Sequence, residues 1–174
     1  MMFFLAGIAL LVLALVAVAA SKPDEMSVTR KGLIPAAPDA VFAHINDLHK
    51  WEAWSPWAKL DPNSKSEFSG PAEGTGASMK WDGNSKVGSG SMTITASQPS
   101  TRIEMKLEFI RPFKGLSTVL FTLAPEAGQT LVTWNMTGRN NLMAKVMGLF
   151  INCDKMIGDQ YEKGLESLKA VVKP

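Results

Sequence analysis

Eight consecutive residues decide how this chain folds: Arg102-Ile103-Glu104-Met105-Lys106-Leu107-Glu108-Phe109. Apolar residues occupy every second position of this stretch, and charged residues occupy the positions between them. Successive side chains of a β-strand point to opposite faces of a sheet. The alternation therefore predicts a strand with one face in solvent and the other face covered by the rest of the protein.

The same two-residue period recurs on both sides of this strand, at residues 77–81, 92–96, 119–123 and 132–136. Turn signals separate the segments at Gln98-Pro99, Arg111-Pro112 and Ala127-Gly128. Residues 28–34 predict a first strand, and residues 65–69 predict a short additional one. Together these segments predict an antiparallel meander with one covered face.

Helices are predicted near both ends of the sequence, before and after the main run of strands. Pro38 and Asp39 suit the first turn of a short helix, because proline needs no hydrogen-bond acceptor there and a carboxylate favours the helix dipole. Near the C-terminus, apolar residues recur every three or four positions from Leu142 to Val172, over about thirty residues. Asn140 or Asn141 can cap the start of this segment. The predicted fold is α+β, with a long C-terminal helix covering an antiparallel sheet.

The first twenty residues contain no charged side chain. Twenty helical residues span ~30 Å, the thickness of the hydrocarbon core of a bilayer. We therefore divide the chain into a transmembrane anchor at 1–20, a linker at 21–26 and a single domain at 27–174. A cleaved signal segment is the alternative for residues 1–20, and it would leave a secreted or periplasmic protein. The basic residues after the segment do not decide which side of the membrane the domain occupies.

Composition excludes several classes of function. The chain has 18 basic and 16 acidic residues, and they are well mixed. The absence of a basic stripe argues against a nucleic-acid partner. One cysteine and two histidines supply no recognisable set of metal ligands, and no motif for a cofactor is present.

Several local motifs carry a resemblance to a known family. They lie at residues 34–42, 51–62, 69–71, 81–84, 110–113, Trp134 and 154–168. In these motifs and in the order of its elements, the chain resembles the SRPBCC superfamily, which includes START domains and birch-pollen-allergen-like proteins. The local motifs resemble its polyketide cyclase/dehydrase and lipid-transport branch. The resemblance implies a helix-grip fold, in which a curved antiparallel sheet of about six or seven strands wraps around the C-terminal helix. It also implies a cavity between sheet and helix that holds an apolar molecule.

Large apolar and soft side chains are the candidates for contact with such a ligand. Packing of the core alone accounts for most of them, whereas the many methionines and tryptophans favour irregular space that a ligand can fill. The candidate ligand-binding residues are Trp54, Trp57, Met79, Trp81, Met92, Met105, Phe109, Phe121, Trp134, Met136, Cys153, Met156 and Ile157. Of the three closely spaced tryptophans at 51, 54 and 57, one or two are expected to pack the short helices onto the sheet. Trp54 or Trp57 is expected to rim the cavity.

Catalytic residues are harder to find. Asp154 and Tyr161 are the two candidates, as polar side chains on the helix that faces the predicted cavity. If Asp154 were buried against Met and Trp side chains, its carboxyl group would have a raised pKa and could act as a general acid. The alternative for Asp154 is an exposed acid paired with a lysine.

Three functions follow from these observations. The first is a membrane-tethered domain that binds a small hydrophobic or amphipathic ligand, without a cofactor. The second is a cyclase or dehydratase acting on a polyketide-like substrate. The third is a protein-interaction or stress-related domain without a ligand.

Overall fold

The computed structural model describes residues 2–172, apart from the side chains of residues 2, 3, 5, 6, 9, 11 and 12. Within this range, seven strands form one antiparallel sheet in the order β1-β7-β6-β5-β4-β3-β2. The strands are β1 (Glu25–Ile34), β2 (Lys65–Ser69), β3 (Ser78–Asp82), β4 (Ser89–Gln98), β5 (Arg102–Arg111), β6 (Gly115–Glu126) and β7 (Gln129–Arg139).

Six helices are described around this sheet: α1 (Met2–Ala20), α2 (Pro38–Asn46), α3 (Trp51–Trp54), α4 (Pro56–Leu60), α5 (Leu142–Met147) and α6 (Cys153–Val171). A 3₁₀ turn at Leu48–Lys50 precedes α3. Two prolines fix helix starts, because Pro38 begins α2 and Pro56 begins α4. Pro56 also explains why α3 is only one turn long.

The two-residue period of the sequence appears directly in the burial of the strands. On β5, Ile103 and Met105 are fully buried, whereas Glu104 and Lys106, which alternate with them, are not. Met105 lies opposite Val119 of β6, which in turn lies opposite Met136 of β7. The buried side chains of neighbouring strands are therefore in register on one face, which we call the covered face. The predicted α+β helix-grip fold is confirmed.

The C-terminal helix differs from its prediction, because it is two helices rather than one. The side chain of Asn141 caps α5 by accepting a hydrogen bond from the Ala144 N–H at 2.8 Å. Asn152 caps α6 in the same way, accepting from the Lys155 N–H at 2.9 Å. Gly148, a poor helix former, follows the end of α5. The apolar spacing continues across the break, so it does not report the interruption.

The N-terminal part of the chain contacts the domain through α5. Ala19 is buried, and Lys145 donates hydrogen bonds to the Ala20 carbonyl at 3.5 Å and to the Asp24 carboxylate at 2.5 Å. β1 begins at Glu25, two residues before the predicted start of the domain. The predicted anchor at 1–20 includes side chains outside the described residues. Among the residues that are described, no helix is long and apolar enough to cross a membrane.

Candidate ligand-binding site

Six of the thirteen candidate ligand residues lie fully buried on or against the covered face. They belong to one hydrophobic cluster and are Trp54, Met92, Met105, Phe121, Trp134 and Met136. Trp134 stands at the centre of this cluster. Its ring lies 4.8 Å from that of Phe121, its neighbour across the strand pair, and stacks on Tyr161 of α6 at 3.9 Å and 10°. These side chains pack against one another in the interior of the domain.

The three closely spaced tryptophans divide into two groups. Trp51 and Trp54 are buried, and their indole N–H groups donate to the carbonyls of Ile45 at 2.9 Å and His44 at 3.2 Å. Both therefore pack α3 onto the sheet. Trp57, on α4, is half-buried and makes edge contacts with Trp134 at 5.9 Å and Tyr161 at 6.0 Å. Of the two alternatives for the rim, Trp57 has the position at the edge of the core.

Six half-buried apolar side chains extend the covered face outward, and we call them the outer apolar wall: Trp57, Met79, Trp81, Leu107, Phe109 and Ile157. Glycine at position 90 shapes this wall. A β-carbon on Gly90 would stand 2.6 Å from Cη2 of Trp81, so the indole lies directly over the backbone of β4. Phe109 is the partner of Gly90 on β5, and its ring meets Trp81 edge-on at 5.9 Å. All members except Leu107 were candidates from the sequence.

Trp134 carries an unpaired polar atom inside this apolar surrounding. Its side chain is 1% exposed, and Nε1 has no hydrogen-bond partner among the described residues. A β-carbon on Gly164 would approach Cζ3 of Trp134 to 2.8 Å, and Nε1 lies on the opposite edge of the indole. Because a buried donor without an acceptor costs ~1–3 kcal/mol, such a group calls for an explanation.

Tyr161 lies beside this orphan donor. The stacked arrangement places its ring above the plane of the indole, whereas the indole N–H points within that plane. Tyr161 is 2% exposed, and burial raises the pKa of its hydroxyl well above the ordinary value, against a smaller lowering by the nearby Trp134 indole N–H. The hydroxyl thus lies near Nε1, but the stacked rings do not give the two groups the geometry of a hydrogen bond. Because its pKa is raised, the hydroxyl stays protonated at neutral pH. It can donate or accept a hydrogen bond, but it is not a base.

Asp154 does not match the expectation of a buried acid with a raised pKa. Its side chain is 58% exposed, and both carboxylate oxygens accept hydrogen bonds from Arg30, at 3.2 and 3.0 Å. These bonds hold the pKa of Asp154 below its usual value. The predicted general acid is therefore wrong in its electrostatics. The alternative, an exposed acid in an ion pair, agrees with the structure except that the partner is Arg30 rather than a lysine.

Arg30 is the residue of this region that sequence reasoning missed. On β1 it has the same parity as the buried Val28 and Ile34, so its side chain lies on the covered face, opposite Trp134 in register. It also donates to Glu162 of α6 at 2.9 Å. The sequence contained a signal for Arg30, because a charged residue at an inward-facing position of a strand is unusual.

The remaining candidates lie at the start of α6. Cys153 is half-buried, and Met156 is 54% exposed, so neither belongs to the buried cluster. In the described part of the chain, no three His, Cys, Asp or Glu side chains converge as metal ligands would.

Two surface depressions lie outside the sheet–helix interface. One, of about 170 Å³, is lined by residues that include His49 and Phe68, whose rings stack at 4.0 Å. The other, of about 500 Å³, lies beside the β5–β6 turn and is lined by residues that include Ile110, Lys114 and Leu116.

Comparison with known proteins agrees with the architecture. The family model described as polyketide cyclase / dehydrase and lipid transport matches residues 25–173. None of the curated proteins matches this chain. Among solved structures, a protein from Chromobacterium violaceum is similar with a TM-score of 0.60 and 16% identity, over 88% of this chain and 99% of that one.

Two further structures have the same fold at low identity. The Aha1 dimer from Colwellia psychrerythraea gives a TM-score of 0.60 and 15% identity, over 84% of this chain and 96% of that chain. Ara h 8.0201 gives a TM-score of 0.58 and 13% identity, over 85% of this chain and 97% of the other. At these identities, the likeness shows the fold alone.

Proposed function

This chain belongs to the polyketide cyclase/dehydrase and lipid transport family, and we propose on that premise that it binds a small hydrophobic or amphipathic molecule at the outer apolar wall. The wall continues the buried face of the sheet but is itself only half-buried. A ligand that hides ~300 Å² of apolar surface there gains roughly 7 kcal/mol before ordering costs, which is consistent with micromolar affinity.

The observation that carries this proposal is the unpaired indole N–H of Trp134. Trp51 and Trp54 both satisfy their indole donors with backbone carbonyls, whereas Trp134, in the same cluster, finds no acceptor within the described part of the chain. We assign this donor to the polar end of the ligand. The ligand is therefore an apolar molecule that carries a hydrogen-bond acceptor, such as a carbonyl or hydroxyl oxygen, and its acceptor reaches past the outer apolar wall to Nε1.

A displacement assay with matched probes tests this assignment. The full chain is loaded with Nile red, which is then displaced by 2-tridecanone or by the alkane of equal length. We expect the ketone to bind about fivefold more tightly, the value of one net hydrogen bond of ~1 kcal/mol. The preference for the ketone should be lost in Trp134→Phe. It should be retained in Trp57→Phe, which leaves the indole N–H of Trp134 in place. Equal affinity of the two probes in the unsubstituted protein would contradict the assignment.

A cyclase or dehydratase is the alternative function, and the geometry gives it less support. Asp154 is ionised and held by Arg30, and the Tyr161 hydroxyl is protonated at neutral pH. Neither has the pKa near neutrality that a general acid or base requires. Turnover of a polyketide-like substrate that falls in Asp154→Asn would favour this alternative over simple binding.

Membrane attachment through residues 1–20 is a separate proposal. It rests on the sequence of that segment, which contains no charged side chain over twenty residues. The test is extraction of cell membranes with alkaline carbonate. Retention of the full chain in the pellet supports attachment, and full release into the supernatant contradicts it.

A further inference from the structure

The register of the sheet brings several chain segments to one end. Glu25 at the start of β1 pairs with Arg139 at the end of β7, and Ser117 near the start of β6 pairs with Gly138. Gly115 pairs with Phe109, and Ser89 of β4 lies between Asp82 and Arg111. The β3–β4 loop, the β5–β6 turn and the segment that leads into α5 therefore lie together. We call this the α5 end of the sheet.

Exposed apolar side chains concentrate at this end. Among the described residues beyond α1, eight of the eleven large apolar side chains that are exposed lie in the β5–β6 turn, at the strand ends beside it, or in the segment from α5 to the start of α6. Phe150, between α5 and α6, is 74% exposed, and Phe113, in the β5–β6 turn, is 51% exposed. The eight are Ile110, Phe113, Leu116, Leu142, Met143, Phe150, Ile151 and Met156.

The charges at the same end are unbalanced. Its acids are mostly paired: Asp24 with Lys145, Asp82 with Arg111, Asp154 with Arg30 and Asp159 with Lys155. Among the described residues, two acids here have no ion pair, Glu25 and Asp61, against five bases. Those bases are Lys22, Lys65, Lys86, Lys114 and Arg139. Arg30 also pairs with Glu162, so this group of three keeps one negative charge, whereas the other pairs cancel. With that charge included, bases still outnumber acids at this end, so the field there is positive.

Apolar side chains on several separate turns, surrounded by unpaired bases, fit the interface of a bilayer. The apolar groups enter the boundary of the acyl chains, and the bases meet anionic headgroups. We propose that the α5 end of the sheet docks on an anionic lipid surface through the β5–β6 turn and the α5–α6 connection. α1 leads into β1 at this end and packs on α5, so the surface is continuous with the chain's most apolar segment.

Docking at this end would also place the outer apolar wall against the bilayer. Trp81 lies one residue before the end of β3 and Phe109 two residues before the end of β5, close to the turns that would insert. A ligand could then pass between bilayer and protein without crossing water. This consequence rests on the proposed function, whereas the docking surface itself does not.

The experiment uses the full chain with Cys153→Ser and one new cysteine that carries an environment-sensitive NBD label. Phe113→Cys and Phe150→Cys test the docking surface. Glu126→Cys, at the last residue of β6 beside the β6–β7 turn and so at the opposite end of the sheet, is the matched control. Each labelled protein is mixed with phosphatidylcholine vesicles, with or without phosphatidylglycerol, and quenching by nitroxide-bearing lipid reports insertion.

We expect labels at 113 and 150 to become brighter and to be quenched with phosphatidylglycerol vesicles, whereas a label at 126 responds in neither case. Adding Lys114→Gln should raise the vesicle concentration for half-maximal emission about fivefold, since one base near an anionic surface contributes ~1 kcal/mol. An equal response at 126, no response at 113 and 150, or a vesicle-independent response that grows with protein concentration would overturn the proposal. The last result would indicate a contact between copies of the chain. Nile red displacement without vesicles measures ligand binding separately, so the two proposals can fail independently.

Discussion

The guanidinium of Arg30 occupies the space beside Gly158, where any other residue would carry its β-carbon. A β-carbon at position 158 would overlap Nη2, Cζ and Nε of Arg30. Because α6 has no side chain at this point, the arginine passes beneath it to reach Asp154 on one side and Glu162 on the other. One side chain of β1 thereby ties α6 to the sheet next to the proposed ligand site.

Gly158→Ala tests this relationship. Alanine is the better helix former by ~1 kcal/mol, but its β-carbon displaces the guanidinium and breaks both ion pairs. Because both acids are more than half exposed, each ion pair contributes little to stability, so in the unsubstituted protein we expect Gly158→Ala to raise the free energy of unfolding by less than the difference in helix propensity, or to lower it. In an Arg30→Ala background, the same change should raise it by about 1 kcal/mol, the difference in propensity alone. Chemical denaturation of the four proteins in the cycle measures this coupling.

A matched glycine controls for the general effect of an added methyl group. A β-carbon on Gly115 would meet nothing within 4 Å. Gly115→Ala should therefore behave identically with and without Arg30. If Gly158→Ala also has the same effect in both backgrounds, Arg30 does not occupy that space in solution.

The pH dependence of stability follows from the lowered pKa of Asp154. A carboxyl group whose folded pKa is depressed stabilises the protein above its unfolded value, near 3.8, and this contribution is lost as the pH falls through the folded pKa. Asp154→Asn should thus lower Tm at pH 6, and the difference from the unsubstituted protein should shrink and vanish at lower pH. Thermal melts across that range provide the measurement. A difference that stays constant down to the lowest pH would mean that the ion pair contributes nothing.

The two tryptophans Trp54 and Trp57 should respond differently to replacement by alanine. Trp54 is fully buried, and its removal should cost ~3–5 kcal/mol of stability. Trp57 is half-buried on the outer apolar wall, and its removal should cost about 1–2 kcal/mol while weakening Nile red binding. Denaturation and probe titration measured on the same samples distinguish the two effects. Equal losses of stability with unchanged Nile red affinity in Trp57→Ala would place Trp57 in the core as well.

Gly90 offers a test of the outer apolar wall itself. Its β-carbon would collide with the backbone carbonyl of Glu108 on β5 as well as with the Trp81 indole, so the substitution strains the β4–β5 pairing in addition to displacing the indole. Gly90→Ala should displace Trp81 and change both its fluorescence and the affinity for Nile red. Gly128→Ala is unsuitable as a control because of its positive φ, so Gly115→Ala serves again. A normal Nile red affinity in Gly90→Ala would show that Trp81 does not contact the probe.

The strands and their covered face were predictable because alternation is a local signal. Met105 and Phe121 face inward, and Lys106 faces outward, because successive residues of a strand point to opposite faces. This can be recognised from the sequence without knowledge of the tertiary structure. The break between α5 and α6 was not predictable from the apolar spacing, which continues through residues 148–152. Asn152 was a visible capping residue, but asparagine also occurs in many loops that begin no helix.

The candidate site was less predictable than the fold, because its properties arise from pairs of residues distant in sequence. The sequence around Asp154 is compatible with a buried acid. The ion pair with Arg30, a residue 124 positions earlier, becomes visible only in the folded structure. Likewise, no sequence pattern distinguishes Trp54, whose N–H meets a carbonyl, from Trp134, whose N–H meets none. Some side chains of the covered face are fully buried and others only half-buried. This difference depends on three-dimensional packing, which the two-residue period of the sequence does not encode.

The indole N–H of Trp134 reports directly whether the acceptor of a bound ligand reaches it. In a proton–nitrogen correlation spectrum of the full chain, its signal can be assigned as the one lost in Trp134→Phe. Titration with 2-tridecanone should move this signal downfield as the N–H gains an acceptor, whereas n-tridecane should bind without that shift. A Trp134 signal that does not move when the ketone binds, or no binding of either probe, would contradict the account.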